Sequence, residues 1–140
     1  MIISAVCCRG GRTENLDCII ELRDGNNIHA VLVVDAYDCT RNDVDRFVIQ
    51  VKSVSVNDVS SACELLARIN IDFNIKMAVV CIAKIFGRVS LSNLGDCRAY
   101  SQVGELLTLD HTIAWDDLVA IGVEHSKVAE LVKAHPGRRV

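Results

Sequence analysis

The chain has 140 residues, of which 51% are hydrophobic, 24% charged and only 4% aromatic, with one proline and a formal net charge of −3. This profile describes one globular domain and excludes a disordered chain, which would carry fewer apolar and more charged residues. A mildly acidic balance without a Lys/Arg block also excludes the concentrated positive face that nucleic-acid binding requires.

With so few aromatics, the core has to be built from Val, Ile, Leu, Ala and Cys. The first predicted element is a strand at 2–8, closed by the turn signal Arg9-Gly10-Gly11. That stretch has no basic region ahead of it and turns polar at once, so it does not read as an export signal. Strands at 16–22 and 29–34 follow, joined through Arg23-Asp24-Gly25-Asn26-Asn27, whose residues tolerate the positive φ of a tight hairpin. From 43 to 54, Val44, Phe47, Val48 and Val51 fall at helical spacing although Val, Ile and Phe favour strands, and the reading leans to helix. A longer helix is expected at 57–73, with Val59, Ala62, Cys63, Leu65, Leu66, Ile69 and Phe73 as its apolar stripe and Asn57 as its cap.

Four strands are then expected at 77–84, 88–94, 97–102 and 105–109, punctuated by Phe86-Gly87, Gly95-Asp96 and Val103-Gly104. Two short amphipathic helices at 113–121 and 124–134, separated near Gly122, complete the chain before His135-Pro136-Gly137. This order of strands and helices describes an α+β domain with antiparallel sheets and helices on the outer faces. The longest apolar run, 77–83, has seven residues, whereas a membrane span needs about 20, so no membrane partner is expected. Seven cysteines, an odd number set mostly in apolar runs (Cys7, Cys8, Cys18, Cys63, Cys81), read as small core residues of a cytoplasmic protein rather than a disulfide or zinc framework.

Periodicity does not name a reaction, but five short stretches in order carry a resemblance. Gly11-Arg12-Thr13-Glu14-Asn15-Leu16-Asp17 is similar to G-x-R-x-x-N-E-D, and Val33-Val34-Asp35-Ala36-Tyr37-Asp38-Cys39 falls where V-x-D-G-H-G-G is expected. Leu94-Gly95-Asp96-Cys97-Arg98-Ala99-Tyr100 is close to N-x-G-D-S-R-A, Leu107-Thr108-Leu109-Asp110-His111-Thr112 to L-T-x-D-H-S/T, and His135-Pro136-Gly137-Arg138-Arg139-Val140 to H-P-x-R-x-V. Together they resemble the metal-dependent Ser/Thr protein phosphatases of the type 2C class (PPM family), bacterial type. The resemblance implies an αββα sandwich in which two antiparallel sheets are flanked by helices, of which residues 1–140 would form a single, truncated domain.

It also implies a site. In the family, the aspartate at the position of Asp35 bridges two Mg²⁺ or Mn²⁺ ions, the carbonyl at Ala36 is a ligand, and the aspartate at Asp17 holds a metal-bound water. Hard divalent cations take oxygen ligands, and a metal pair activates water while neutralising phosphoryl charge. Arg12 aligns with the phosphate-clamping arginine, whose planar fork grips two oxygens. The motif glutamate is Leu16, and Gly-His-Gly-Gly has become Ala36-Tyr37-Asp38-Cys39. Tyr37 thus replaces the histidine that protonates the leaving group, and a phenol of ordinary pKa near 10 is a far weaker acid. The lost glycines narrow the backbone choices of the metal loop, while Asp38 is close enough in sequence to offer a substitute ligand. Further metal-binding aspartates belong to S-D-G and D-N-x-T motifs downstream of H-P-x-R, and the given sequence ends at Val140.

Other residues read as structural: Asp96 shapes a turn, His111 belongs to a helix cap, and Cys39 lacks a neighbour in sequence that would lower its pKa. The leading expectation is a catalytically inactive or strongly impaired phosphatase-like domain that binds a protein, namely a kinase, a phosphoprotein or a phosphatase. The alternative is a Mg/Mn-dependent phosphoprotein phosphatase whose missing ligands come from a second chain or a longer parent. A third reading is an oligomerisation module. A sheet short of its neighbours exposes edges and apolar surface, so a homodimer or hetero-oligomer is expected.

Overall fold

A computed structural model describes residues 13–69, 76–109, 111, 113–124, 127, 128 and 131. The predicted strand at 2–8, Arg12, Asp110 and the H-P-x-R segment lie outside them. Four strands, β1 (Cys18–Asp24), β2 (Asn27–Tyr37), β3 (Lys76–Ile85) and β4 (Arg88–Leu94), form one antiparallel sheet in the order β1-β2-β3-β4. The chain is therefore α+β, as expected, with both hairpins merged into a single sheet. Among the described residues β1 and β4 each pair on one side only.

Local chemistry explains the turns. Asp24 pairs with Asn27 around Gly25, whose φ is +55°, and β3 reverses into β4 through Phe86 and Gly87 at φ +49° and +76°. Two successive positive φ values are what a tight hairpin between right-twisted strands demands.

Alternation along the strands separates two faces. Ile20, Leu22, Leu32, Val34, Cys81 and Ala83 point to one side and are buried there. Helices α1 (Arg41–Ser53) and α2 (Ala62–Arg68) cover that side, α1 presenting Val44, Phe47 and Val51, and α2 presenting Ala62, Leu65 and Leu66. Helix α1 lies against β1, and α2 against β3 and β4. The core is aliphatic apart from Phe47 and Cys81, as the composition required.

Helix α1 starts two residues ahead of the predicted 43–54. Thr40 caps it and forms a capping box with Asp43, whose carboxylate takes the Thr40 N–H at 2.8 Å. The helix predicted at 57–73 is corrected to α2, preceded by a 3-10 turn at Val56–Asp58. The cap is Ser61 rather than Asn57, because Ser61 Oγ accepts from Glu64 N at 3.2 Å while Glu64 reaches back to Ser60 N at 2.9 Å. Residues 70–75 lie outside the described set. Cys63, expected in the apolar stripe, faces solvent.

The strands predicted at 97–102 and 105–109 do not form. Only a bridge between Tyr100 and Leu106 remains, and the Ala99 N–H goes to the buried Thr108 hydroxyl at 3.1 Å instead of a ladder carbonyl. Helix α3 spans Ile113–Ala120, ending before Gly122 at φ +87°, and residues 127, 128 and 131 are helical. Leu118 and Val128 make a small second cluster with Leu106, Val119 and Val123. Among the described residues no helix is long and apolar enough to cross a membrane.

Candidate functional site

The pairing register brings the predicted aspartates together. Cys18 is opposite Val34 across β1 and β2, so Asp17 and Asp35 come next as neighbours at that end of the sheet. Asp35 is in turn opposite Ala78, and Val79 opposite Leu94, so Ala78 adjoins Gly95 and the Gly95-Asp96 turn. Residues scattered over some eighty positions of sequence thus share one sheet end, with Asp17 and Asp35 half-buried and Asp96 exposed.

Asp17 is placed by its own neighbourhood. The Asn15 side chain accepts the Asp17 N–H at 3.0 Å, and Arg41, at the start of α1, donates to the Asn15 carbonyl and approaches Glu14 at 3.4 Å. Arg41 is a positioning residue that the motifs did not indicate, since its partner lies 26 residues away. Only its place directly after the Thr40 cap could have marked it.

Tyr37 follows on the same face, opposite Lys76, and is 41% exposed. Partial burial, with the negative charges of Asp96, Asp35 and Asp38, pushes its phenol above its ordinary value, against a smaller opposing effect of Lys76. Asp38 takes a left-handed φ of +50° and pairs with Lys76 at 3.1 Å. Asp38 thus enters the left-handed backbone region, as Asp does more readily than most. Its carboxylate is engaged by an ammonium, which weakens the case for Asp38 as a substitute ligand.

Cys97 was not singled out by sequence, yet it sits among the acidic residues. Burial, with a further contribution from Asp35, Asp96 and Asp17, raises its thiol to about 11, although a backbone hydrogen bond from Asp35 acts the other way. Cys39 packs against the core, and its thiol is also raised, by burial and then by Asp43 and Asp38. Neither sulfur has the environment of a nucleophile. Asp96 lies in the expected turn, and His111 returns its backbone N–H to Gly95 O at 2.9 Å.

Hard cations take six or more oxygen ligands, and among the described residues no group of three or more His, Cys, Asp or Glu side chains is placed to hold a metal ion. Ala36 is buried within the β2–β3 ladder. A cleft of about 450 Å³ lined by Glu21, Arg23, Lys52 and Asn57 lies at the opposite end of β1 and contains none of the predicted site residues. No protein-family model, curated protein or solved structure matches the chain. The resemblance to the type 2C phosphatases rests on the five stretches themselves.

Proposed function

We propose that this chain is a type 2C phosphatase-like domain, inactive or strongly impaired as a hydrolase, that works by binding another protein. The observation that carries the reading is the sheet face turned away from α1 and α2. There Val33 is 43%, Ile82 38% and Val89 69% exposed, although Ala78 and Val80 on the same face are buried, and exposed apolar side chains sharing a face are of the kind that mark interaction sites. The chemistry at the sheet end supports the other half of the reading. A phenol raised above its ordinary value is a poor proton donor to a leaving group, and two adjacent carboxylates beside a protonated thiol are a meagre ligand set.

The test is Mn²⁺-dependent hydrolysis of p-nitrophenyl phosphate and of a phosphoserine peptide, with Asp35→Ala as control. Wild type and variant are expected to give the same background rate. Robust turnover abolished by Asp35→Ala would overturn the reading.

A further inference from the structure

Two hairpin tips share one end of the sheet and differ in a way the fold does not require. β1 and β3 run in the same direction, so the β1–β2 and β3–β4 turns lie side by side there. The first turn residue is Gly25 in one and Phe86 in the other, with φ of +55° and +49°. Glycine, asparagine or aspartate enters this region at little cost, whereas a bulky side chain there is an outlier. Phe86 finds no compensating burial, since it is 77% exposed. The fold alone gives no reason for an aromatic ring at a strained position in solvent, and strain of this kind collects where a chain makes contacts.

The neighbours of Phe86 define the contact. Ile85 pairs with Arg88, so the reversal consists of Phe86 and Gly87, and Lys84 is opposite Val89 one pair further along. Ile85 is buried on the helix side, and side chains alternate, so Arg88 and Lys84 stand on opposite faces of the hairpin. The ring thus has a cation on either side of it. Both are exposed, and among the described residues neither takes part in an ion pair. Val89, 69% exposed, extends the apolar surface beside the tip.

We infer that this tip docks on an anionic lipid surface, with Phe86 entering the boundary between head groups and acyl chains and Lys84 and Arg88 meeting the head groups. The long stems of both cations lie along apolar surroundings while their charges stay at head-group level, and each basic residue near an anionic leaflet adds attraction. The β3–β4 ladder satisfies the backbone as far as the Ile85–Arg88 pair, so little unpaired main chain is immersed. Size favours a bilayer over a protein. One ring and one valine fall far short of the roughly 800 Å² per partner of a specific protein interface, and a convex tip would need a matching cavity there.

The net charge of −3 opposes any other approach to an anionic surface, so the contact is oriented by this end of the molecule. Asp24, exposed on the neighbouring tip, is two strand spacings away, about 10 Å, where salt already screens it. Such a contact is peripheral and needs none of the spanning length whose absence from the sequence counted against a membrane partner. It goes beyond the protein binding proposed above and does not rest on it.

The experiment is co-sedimentation of the full chain with vesicles of phosphatidylcholine, alone or with about one third phosphatidylserine. Binding should be about tenfold stronger to the anionic vesicles, and Lys84→Gln with Arg88→Gln should remove that preference. Phe86→Asn should weaken binding about tenfold while raising the melting temperature, since Asn suits a positive φ. No sedimentation with either vesicle would overturn the inference and leave the tip to a protein partner. Equal binding to both vesicles, or undiminished binding of Phe86→Asn, would overturn it too, as would a lower melting temperature in that variant, because the ring would then serve the fold. The hydrolysis assay above is read separately, and neither result decides the other.

Discussion

Gly95 and Ala78 touch across the sheet: a Cβ on Gly95 would lie 2.8 Å from the Ala78 Cβ and 3.1 Å from its Cα. Ala78 pairs with Asp35 on its other side, so this approach fixes how closely the Asp96–Cys97 turn sits to the acidic end of β2. Gly95 also has a φ of +73°. Gly95→Ala should therefore be destabilising on two counts, backbone strain and overpacking, by about 2–4 kcal/mol. The check is the shift in urea midpoint, and Ala78→Gly in the same chain should recover the packing share but not the backbone share.

The caps of the two helices give a pH dependence. Hydrogen bonds from Thr40, helped by Arg46, hold the Asp43 carboxyl below its ordinary 3.8, and those from Ser60, helped by Arg68, hold Glu64 below 4.5. A depressed carboxyl stabilises the fold above its ordinary value, and that contribution is lost as the pH falls through the lowered one. Melting temperature should decline through this acidic window, and the decline should be shallower in Asp43→Asn. At neutral pH, Thr40→Ala should cost about 1 kcal/mol through the lost cap.

Thiol accessibility should sort the cysteines. Cys63 is exposed, while burial raises Cys81 to about 12 and leaves it without contact to solvent. An aromatic disulfide reagent at mildly alkaline pH should label Cys63 rapidly and Cys81 only at the rate of global unfolding. Fast labelling of Cys81 in the native protein would contradict the packing described.

Tyr37→His introduces the side chain that the proposed resemblance to the type 2C phosphatases implies at this position. Hydrolysis of p-nitrophenyl phosphate with Mn²⁺ should nevertheless stay at the level of Asp35→Ala, because on the proposed reading the acid is only one of the parts a hydrolase would need. A rise of about a hundredfold or more, the usual reach of general acid catalysis, would show that the metal centre was already built.

Both hairpins were legible because their turns carry Asp24-Gly25 and Phe86-Gly87 between alternating apolar runs, and α1 because Val44, Phe47 and Val51 share a face. The extent of α2 was not, since Asn57 and Ser61 are both acceptable caps and the choice depends on where Glu64 can reach. The lost strands after β4 have a similar cause. Residues 97–102 and 105–109 have strand-forming composition, but Thr108 takes the Ala99 N–H through its side chain and so replaces a ladder bond. Asp17 and Asp35 could be named from motifs, whereas Arg41 and Cys97 could not, because their partners are distant in sequence and near only in the fold.

The edges of the sheet bear on how far any assembly would extend. Among the described residues β4 is an outer strand, and its Arg88, Ser90, Ser92 and Asn93 keep it from offering a smooth apolar edge to a neighbour. Sideways addition of strands can repeat without limit, as in a fibre, whereas a two-fold contact between faces is satisfied once it has formed. A polar edge at β4 would therefore disfavour a chain that grows from that side.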